Sequence, residues 1–562
     1  MPFKTNNINI MRFLFVLIVL TFFIIVYLWI YQMPLIGTDD ANIFFKYAKN
    51  INSGFGMIYN TGGERVEGFT SILWLFVITV MYRLPRFEIF LLAFNILIIS
   101  YSLYRVVNFI ESYFKNKSEN FLSISSFLFI FICCFTPGFI IWGTFSLMET
   151  GLWSSILILL IITLLETAYS EKKNLFSFSL LLAFCALARP EGMAIGLICS
   201  IIYIFVFKNK TNKLWNKNYI PLVVLLTTIV LLTLFRLIYF GYPLPNTYYA
   251  KVYTNPIYNL TDGLKYYFSY LGTNVIYFIV LVAVIYVLWE GLKNKYYIII
   301  RQNPQFFLAI VLLILILMPI MEGGDHFDFH RLYVPFLPVF LLILFNTKYW
   351  GEQTTFNNFI IKRRISKIVI LLILLPSLLI IQRHNIFELL KNRNKLPTNF
   401  EYYLSKHGRE NGEKLNVFFN KLDSLPNIAM IAVGGFGYSY RGNTYDLVGL
   451  NDVETAHKNR ESRSKSVKGH IAFSKEVLFN RKPPVFMGRF VQKDSLNFLE
   501  SKNFTRELEF EKNVLKNIFE DRDFKINYTP VTIKYPDKDW YYETYIENGF
   551  AKNLLKCGYT VY

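Results

Sequence analysis

The chain has 562 residues, 54% of them hydrophobic and only 17% charged, where an average soluble protein is about 25% charged. So little charge cannot clothe a globular surface, which excludes a soluble enzyme, a disordered tail and a secreted disulfide scaffold and leaves a polytopic membrane protein. The formal charge of +19, from 58 Lys and Arg against 39 Asp and Glu, then marks cytoplasmic loops and anionic headgroups rather than a nucleic-acid partner. Of the five cysteines, Cys133, Cys134, Cys185 and Cys199 lie in apolar blocks and only Cys557 lies outside them, so no C-x-x-C metal site or disulfide framework is expected.

The uncharged run Phe13 to Ile30 approaches the roughly 20 residues that span a bilayer core. It exceeds a signal-peptide core and is followed by YQMPLIG rather than an A-x-A site, so it is expected to stay as an anchor. Apolar blocks recur near 12–31, 69–82, 87–109, 121–141, 151–168, 174–188, 192–207, 219–240, 268–290, 306–320, 332–347 and 365–381. Basic residues gather at Lys115 and Lys117, at Lys172 and Lys173, at Lys208 to Lys217, at Lys293 to Arg301 and at Lys348 to Arg364, alternating with basic-poor loops carrying TFSLMETG, ARPEG, YPLPNTYYAK and EGGDHFDFHR. The positive-inside rule turns the first set to the cytoplasm, together with the N-terminus and its Lys4 and Arg12. An outside loop before 69 and an inside loop at 115 leave room for a single crossing. Block 69–82, the shortest and followed at once by Arg83 and Arg86, is therefore expected to be re-entrant or interfacial on the outer face.

This predicts about eleven spanning helices. Residues 1–381 form a transmembrane module whose first exterior loop runs from 32 to 86, and residues 382–562 form an exterior domain long enough for its own core. There IAMIAVGGFGYSY reads as a strand and tight turn, DLVGLND as a strand end and SLNFLESKNF as an amphipathic helix, which suggests a small α/β or α+β unit. No internal repeat is visible, which counts against an inverted-repeat transporter.

Unusual polar residues fall on the outer side. Asp39 and Asp40 are adjacent in the first exterior loop. Two carboxylates this close raise one another's pKa, so one can serve as a base while the other orients a substrate or binds a cation; the plainer alternative is an N-cap, with an acidic first turn, of a helix in DDANIFFKYAKNI. Glu149 in METG, Arg189 and Glu191 in ARPEG, Lys251 in YPLPNTYYAK, and Asp325, His326, Asp328, His330 and Arg331 sit at outer helix ends. Any one of these is explained by solvent at a helix end, but inner ends carry almost only Lys and Arg, and the mixed set reads as a site. Asp325, His326 and His330 have metal-ligand chemistry, and the two imidazoles would share a face if that stretch were helical. Hydrogen bonding to a polar substrate or to a carrier phosphate is the reading preferred for them. Tyr242, Tyr248 and Tyr249, beside Pro243 and Pro245, are placed to stack on a sugar.

The run DDANIFFKYAKNINSGFGMIYNTGGERVEGFTSILW is similar to a pattern DDAYI-x-x-RYA-x-N-x-x-x-G-x-G-x-x-x-N-x-G-x-x-VEGYTS-x-LW, with Lys46 where the pattern has Arg. METGLW, ARPEG, GYPLPNTYYAK, GGDHF, RLYVPFLP and VGLND match further segments in order. On these motifs the chain resembles GT-C superfamily glycosyltransferases, bacterial membrane enzymes related to the mycobacterial terminal β-(1→2)-arabinofuranosyltransferase. The resemblance implies a GT-C-like fold in the bacterial cytoplasmic membrane, with an active site on its periplasmic or extracellular face. There a single sugar, arabinofuranose or another pentose or hexose, would pass from a polyprenyl-phosphate donor to a cell-envelope glycan, and the catalytic aspartate would fall on Asp39 or Asp40. Glu67, Asn246, Tyr248 and Tyr249 lie in the matching segments and join Glu149, Arg189, Glu191, Lys251, Asp325, His326, His330 and Arg331 as candidate substrate-binding residues. No cofactor is implied firmly; if a divalent cation such as Mg²⁺ or Mn²⁺ is needed, Asp39, Asp40 and Asp325 are its candidate ligands, because hard cations prefer carboxylate oxygen. A single base predicts inversion at the anomeric carbon. Rival expectations are an oligosaccharide ligase or protein glycosyltransferase of the same architecture, a transporter or flippase, and a noncatalytic glycan-binding membrane protein.

Overall fold

The computed structural model describes residues 2–114, 121–170, 174–206, 217–273, 275–294, 303–346, 399–458, 469–492, 509–536 and 538–562. The chain is a polytopic helical membrane protein with a sheet-containing C-terminal region. Among the described residues seven helical stretches are long and apolar enough to cross a bilayer: Asn7–Tyr31, Phe87–Phe114, Thr150–Ser170, Lys217–Phe240, Val275–Lys293, Pro304–Met321 and Asp328–Phe345. An eighth is possible where Ile124–Phe135 and Pro137–Phe145 meet at a 74° bend, at a proline that has no N–H to continue the helix. The expected crossings at 174–188 and 192–207 appear as shorter apolar helices, Leu175–Ala188 and Glu191–Val206. The block 268–290 is divided between helices Pro256–Thr273 and Val275–Lys293. Block 365–381 lies outside the described residues, as do most of the basic loops.

Helix Thr150–Ser170 is the most enclosed of the spans. It approaches the Ile141–Phe145 turn through Gly151, where any Cβ would overlap the Gly143 carbonyl. Lys217–Phe240 turns Val230, Leu231 and Ile238 outward, as a lipid-facing helix does. The segment expected to be re-entrant is a ten-residue helix, Ile72–Met81, too short to cross. It is capped by Ser71, which accepts from the Trp74 N–H. It packs beside helix Asp39–Asn52 of the same segment.

The C-terminal region opens with helix Asn399–Phe418 and builds one mixed sheet from β1 (Ile428–Met430), β2 (Thr444–Asp446), β3 (Val485–Val491), β4 (Tyr528–Lys534), β5 (Tyr541–Glu547) and β6 (Thr560–Val561), in the order β2-β1-β3-β5-β4-β6. β1 runs parallel to both β2 and β3, whereas β3, β5, β4 and β6 pair antiparallel. The expected strand and turn in IAMIAVGGFGYSY is β1 followed by a short helix, Gly434–Ser439. DLVGLND begins at the last residue of β2, and SLNFLESKNF lies outside the described residues.

This region is not a separate lobe. Helix Asp39–Asn52 docks on Asn399–Phe418 and Gly434–Ser439. Asn42 Nδ2 donates to Ser405 Oγ at 2.7 Å, Arg409 Nε donates to Asn42 Oδ1 at 2.6 Å, and Arg409 also pairs with Glu88 at 3.0 Å. Tyr59 donates to the Val433 carbonyl at 2.6 Å, and Asn60 exchanges two hydrogen bonds with the Thr444 backbone. The segment that follows the carboxyl end of β1 thus meets residues 32–86, at the end where open α/β sheets present ligand sites.

Candidate functional site

Asp39 and Asp40 open helix Asp39–Asn52, whose N-cap is Thr38 with no side-chain cap bond. Neither aspartate is therefore explained as the helix's N-cap, and the two diverge. Asp39 is buried, and its two oxygens accept from the Gly434 and Gly435 amides at 2.9 and 2.8 Å. Position 434 admits only glycine, because a Cβ would overlap the Asp39 carbonyl. Burial pushes the Asp39 carboxyl up to about 6 against the lowering effect of those two amides. Asp40 points the other way, with Lys251 Nζ at 3.5 Å and Arg331 Nη1 at 3.7 Å from the same oxygen. Burial would raise Asp40, but the charges of Lys251 and then Arg331 outweigh it and hold the carboxyl below its usual range.

Arg331 joins two carboxylates. It reaches Asp325 Oδ2 through Nε at 2.8 Å and Nη2 at 2.7 Å, while its guanidinium lies 4.0 Å over the Phe327 ring. The other Asp325 oxygen accepts from the His326 amide at 2.8 Å. Burial alone would raise Asp325, yet Arg331 foremost holds it far below the usual carboxylate range. Next to Arg331 lies a second charged group: Arg189 donates to Glu149 at 2.7 Å and to Glu191 at 2.6 Å. The structure thus gathers Asp40, Lys251, Arg331, Asp325, His326, Glu149, Arg189 and Glu191, which span positions 40 to 331, into one polar region.

This region borders a cavity of about 590 Å³ between the membrane helices and the C-terminal domain, lined by Asp39, Asp40, Lys251, His326 and Asp328 on one side. Phe400, Glu401, Leu404, Met430 to Val433, Val448 and Leu450 form the other side, many of them from the segments that follow β1 and β2. A second cavity of about 560 Å³ opens beyond His326, Phe327 and Asp328, lined by Tyr266, Ser269, Tyr270, Tyr277 and His330.

Several expected residues are placed elsewhere. Residues 325–333 are not an α-helix; Phe329 and His330 have φ of 58° and 52°, a left-handed backbone uncommon for such side chains. His326 and His330 therefore do not share a helical face: His330 contacts Ser269 Oγ at 3.1 Å and lines only the second of these cavities. Glu67 is held by Arg236 through three hydrogen bonds of 2.9 to 3.2 Å, both side chains almost fully buried, and does not line either cavity. Asn246 donates to the Gly449, Leu450 and Asp452 carbonyls, so it holds the VGLND loop. Tyr249 and Tyr242 lie over the His457 ring at 4.1 and 4.4 Å between centroids, so these ring faces already have a partner. Tyr248 is exposed.

Sequence patterning pointed to none of Glu401, Phe400 and Trp142. Glu401 makes no hydrogen bond or ion pair among the described residues, and burial, with Asp40 and Asp39 adding to it, pushes its carboxyl up to about 8. It sits in an amphipathic helix among Lys406, His407, Arg409 and Glu410, where one more charge carries no signal. Asp40 and Asp325 are the only expected cation ligands that face this polar region, and both already face cations. Among the described residues no group of three or more His, Cys, Asp or Glu is placed to hold a metal ion. No protein-family model matches the chain, and no curated protein matches it significantly.

Proposed function

We propose that this chain is a glycosyltransferase of eleven spans that moves one sugar from a polyprenyl-phosphate donor to a cell-envelope glycan on the outer face of the bacterial cytoplasmic membrane. The observation that carries this reading is Asp40, a carboxylate on the cavity wall flanked by Lys251 and Arg331. Transfer from a lipid phosphate needs a base for the acceptor hydroxyl and cations for the departing phosphate, and both occur at this point.

In the reaction the acceptor oxygen bonds to the anomeric carbon, the carbon–oxygen bond to phosphate breaks, and the hydroxyl proton goes to Asp40. Polyprenyl phosphate leaves with the bonding pair, and the anomeric centre inverts because one displacement occurs. With its two cations drawn onto the donor phosphate, Asp40 regains proton affinity, so donor binding prepares the base. Asp39 serves as the anchor that fixes the helix bearing Asp40 to the Gly434–Gly435 turn. Arg189, Glu149 and Glu191 hold one another and back Arg331.

The test uses full-length protein in nanodiscs. A strain deleted for this chain supplies both the lipid-linked donors, by extraction, and the glycan lacking its final sugar. Incorporation by the wild-type protein, lost in Asp40→Asn, is expected. No incorporation from any donor in that extract refutes the reading.

A further inference from the structure

The two walls of the larger cavity differ in charge. The membrane side carries the fixed cations, Lys251 and, behind Asp40, Arg331, among the carboxylates of Asp39, Asp40 and Asp328. The C-terminal domain contributes no Lys or Arg to the described lining; it presents His470, Glu401, Glu511 and the exposed ring of Phe400. A phosphate finds its fixed cations on the first wall, whereas the second offers it neither Lys nor Arg.

Phe400 is 63% exposed, although its neighbour Leu404, one turn along the helix, also lines the cavity. A large apolar ring left open beside a carboxyl that has no partner among the described residues is an expensive surface unless something covers it. Glu511 repeats the pattern on the same wall, where its Oε2 is buried without a hydrogen-bond partner among the described residues. An aromatic face attracts the polarised C–H groups of a sugar ring, and a carboxyl accepts from or donates to its hydroxyls. Neither group suits an anion.

We propose that Phe400 and Glu401 form the acceptor side of the cavity, where Phe400 stacks on a ring of an uncharged glycan and Glu401 hydrogen-bonds its hydroxyls, opposite a phosphate held by Lys251 and Arg331. This rests on the glycosyl-transfer reading above. It assigns to the C-terminal domain a direct share in choosing the acceptor, and it makes Glu401 a binding residue while Asp40 takes the proton.

Two measurements on Phe400→Ala, Glu401→Ala and Glu401→Gln in the full chain test it. In the transfer assay, each alanine variant is expected to raise the acceptor KM about tenfold, as loss of one good contact does, with donor KM and kcat near wild type and Glu401→Gln intermediate. Saturation-transfer NMR with the glycan from the deletion strain reads binding without turnover, and its signal should fall in the same order. Unchanged acceptor KM and unchanged saturation transfer in both alanine variants overturn the proposal; so does a raised donor KM, or a fall in kcat alone, which would make Glu401 the base. Should the wild type bind the glycan through these residues yet transfer nothing, the acceptor site stands and the transferase reading fails. Circular-dichroism melts identify any variant that has merely unfolded, in which case Glu401→Gln, which removes no hydrogen bond present among the described residues, decides.

Discussion

Asp39→Asn and Asp40→Asn should fail in different ways, although the two residues are adjacent and the replacement is nearly isosteric. At position 39 both carboxylate oxygens accept from amides, at 2.9 Å from Gly434 and 2.8 Å from Gly435, in a buried setting. An asparagine has one acceptor oxygen, so its NH₂ must confront one of the two N–H groups and leave that donor unsatisfied, at a cost of about 1–3 kcal/mol. Asp39→Ala leaves both donors unsatisfied and should cost about twice as much. Since the bonds to Asn42, Tyr59 and Asn60 remain, the domain stays docked but opens more often at this turn. By the relation of about tenfold per 1.4 kcal/mol, hydrogen exchange at the Gly434 and Gly435 amides should rise roughly 5- to 150-fold in the asparagine variant and further in the alanine variant. At position 40 the side chain accepts from no amide among the described residues, so Asp40→Asn should leave that exchange rate alone. Loss of a general base should instead lower kcat by about 10² to 10⁴. Hydrogen-exchange mass spectrometry of the peptide covering 428–440, beside the transfer assay, measures both. Unchanged exchange in Asp39→Ala, or full turnover in Asp40→Asn, refutes this division of roles.

The Glu67–Arg236 pair has side chains only 2% exposed, so Glu67→Gln, which strands a guanidinium in an apolar helix, should destabilise by about 3–5 kcal/mol, whereas Glu67→Leu with Arg236→Met should recover most of the loss; thermal melts of the purified protein read this. Glu401 titrates near 8 in the folded chain against an ordinary 4.5, so the folded state holds that proton more tightly. The contribution to stability is whole below 4.5 and is lost as pH rises toward 8. Asp39, raised from 3.8 to about 6, adds a change of the same sign at lower pH. The melting temperature of Glu401→Gln should therefore draw ahead of wild type between pH 6 and 8, and parallel curves over that window would show that Glu401 is solvated. Lys251→Ala and Arg331→Ala should each raise the donor KM, while EDTA should leave transfer intact because Arg331 occupies Asp325 and Lys251 faces Asp40; an EDTA block reversed by Mg²⁺ or Mn²⁺ would instead make these carboxylates cation ligands.

What the sequence reveals here is set by the range of the interaction. Apolar blocks are local, and so the long helices and the short one at 72–81 are legible. The signal for β4 and β5 is present too, as β-branched and aromatic residues in YTPVTIK and YYETYIE, but the order β2-β1-β3-β5-β4-β6 depends on contacts that no period encodes. Polar residues at helix ends point to a site because charge at membrane level needs a cause, and seven of them do converge, with Asp40. The residues that resist this reasoning are those whose partner is distant. Glu67 looks like a loop acid until Arg236 is placed beside it, and the one clue was a lone arginine in the apolar run LLTLFRLIYF. Adjacency misleads at Asp39 and Asp40 for a geometric reason. Successive helical residues are turned about 100° apart, so two neighbouring carboxylates in a first turn face different surroundings. One is directed at the Gly434–Gly435 amides and the other at Lys251 and Arg331, and a pair that reads as a dyad in one dimension becomes two carboxylates with separate partners in three.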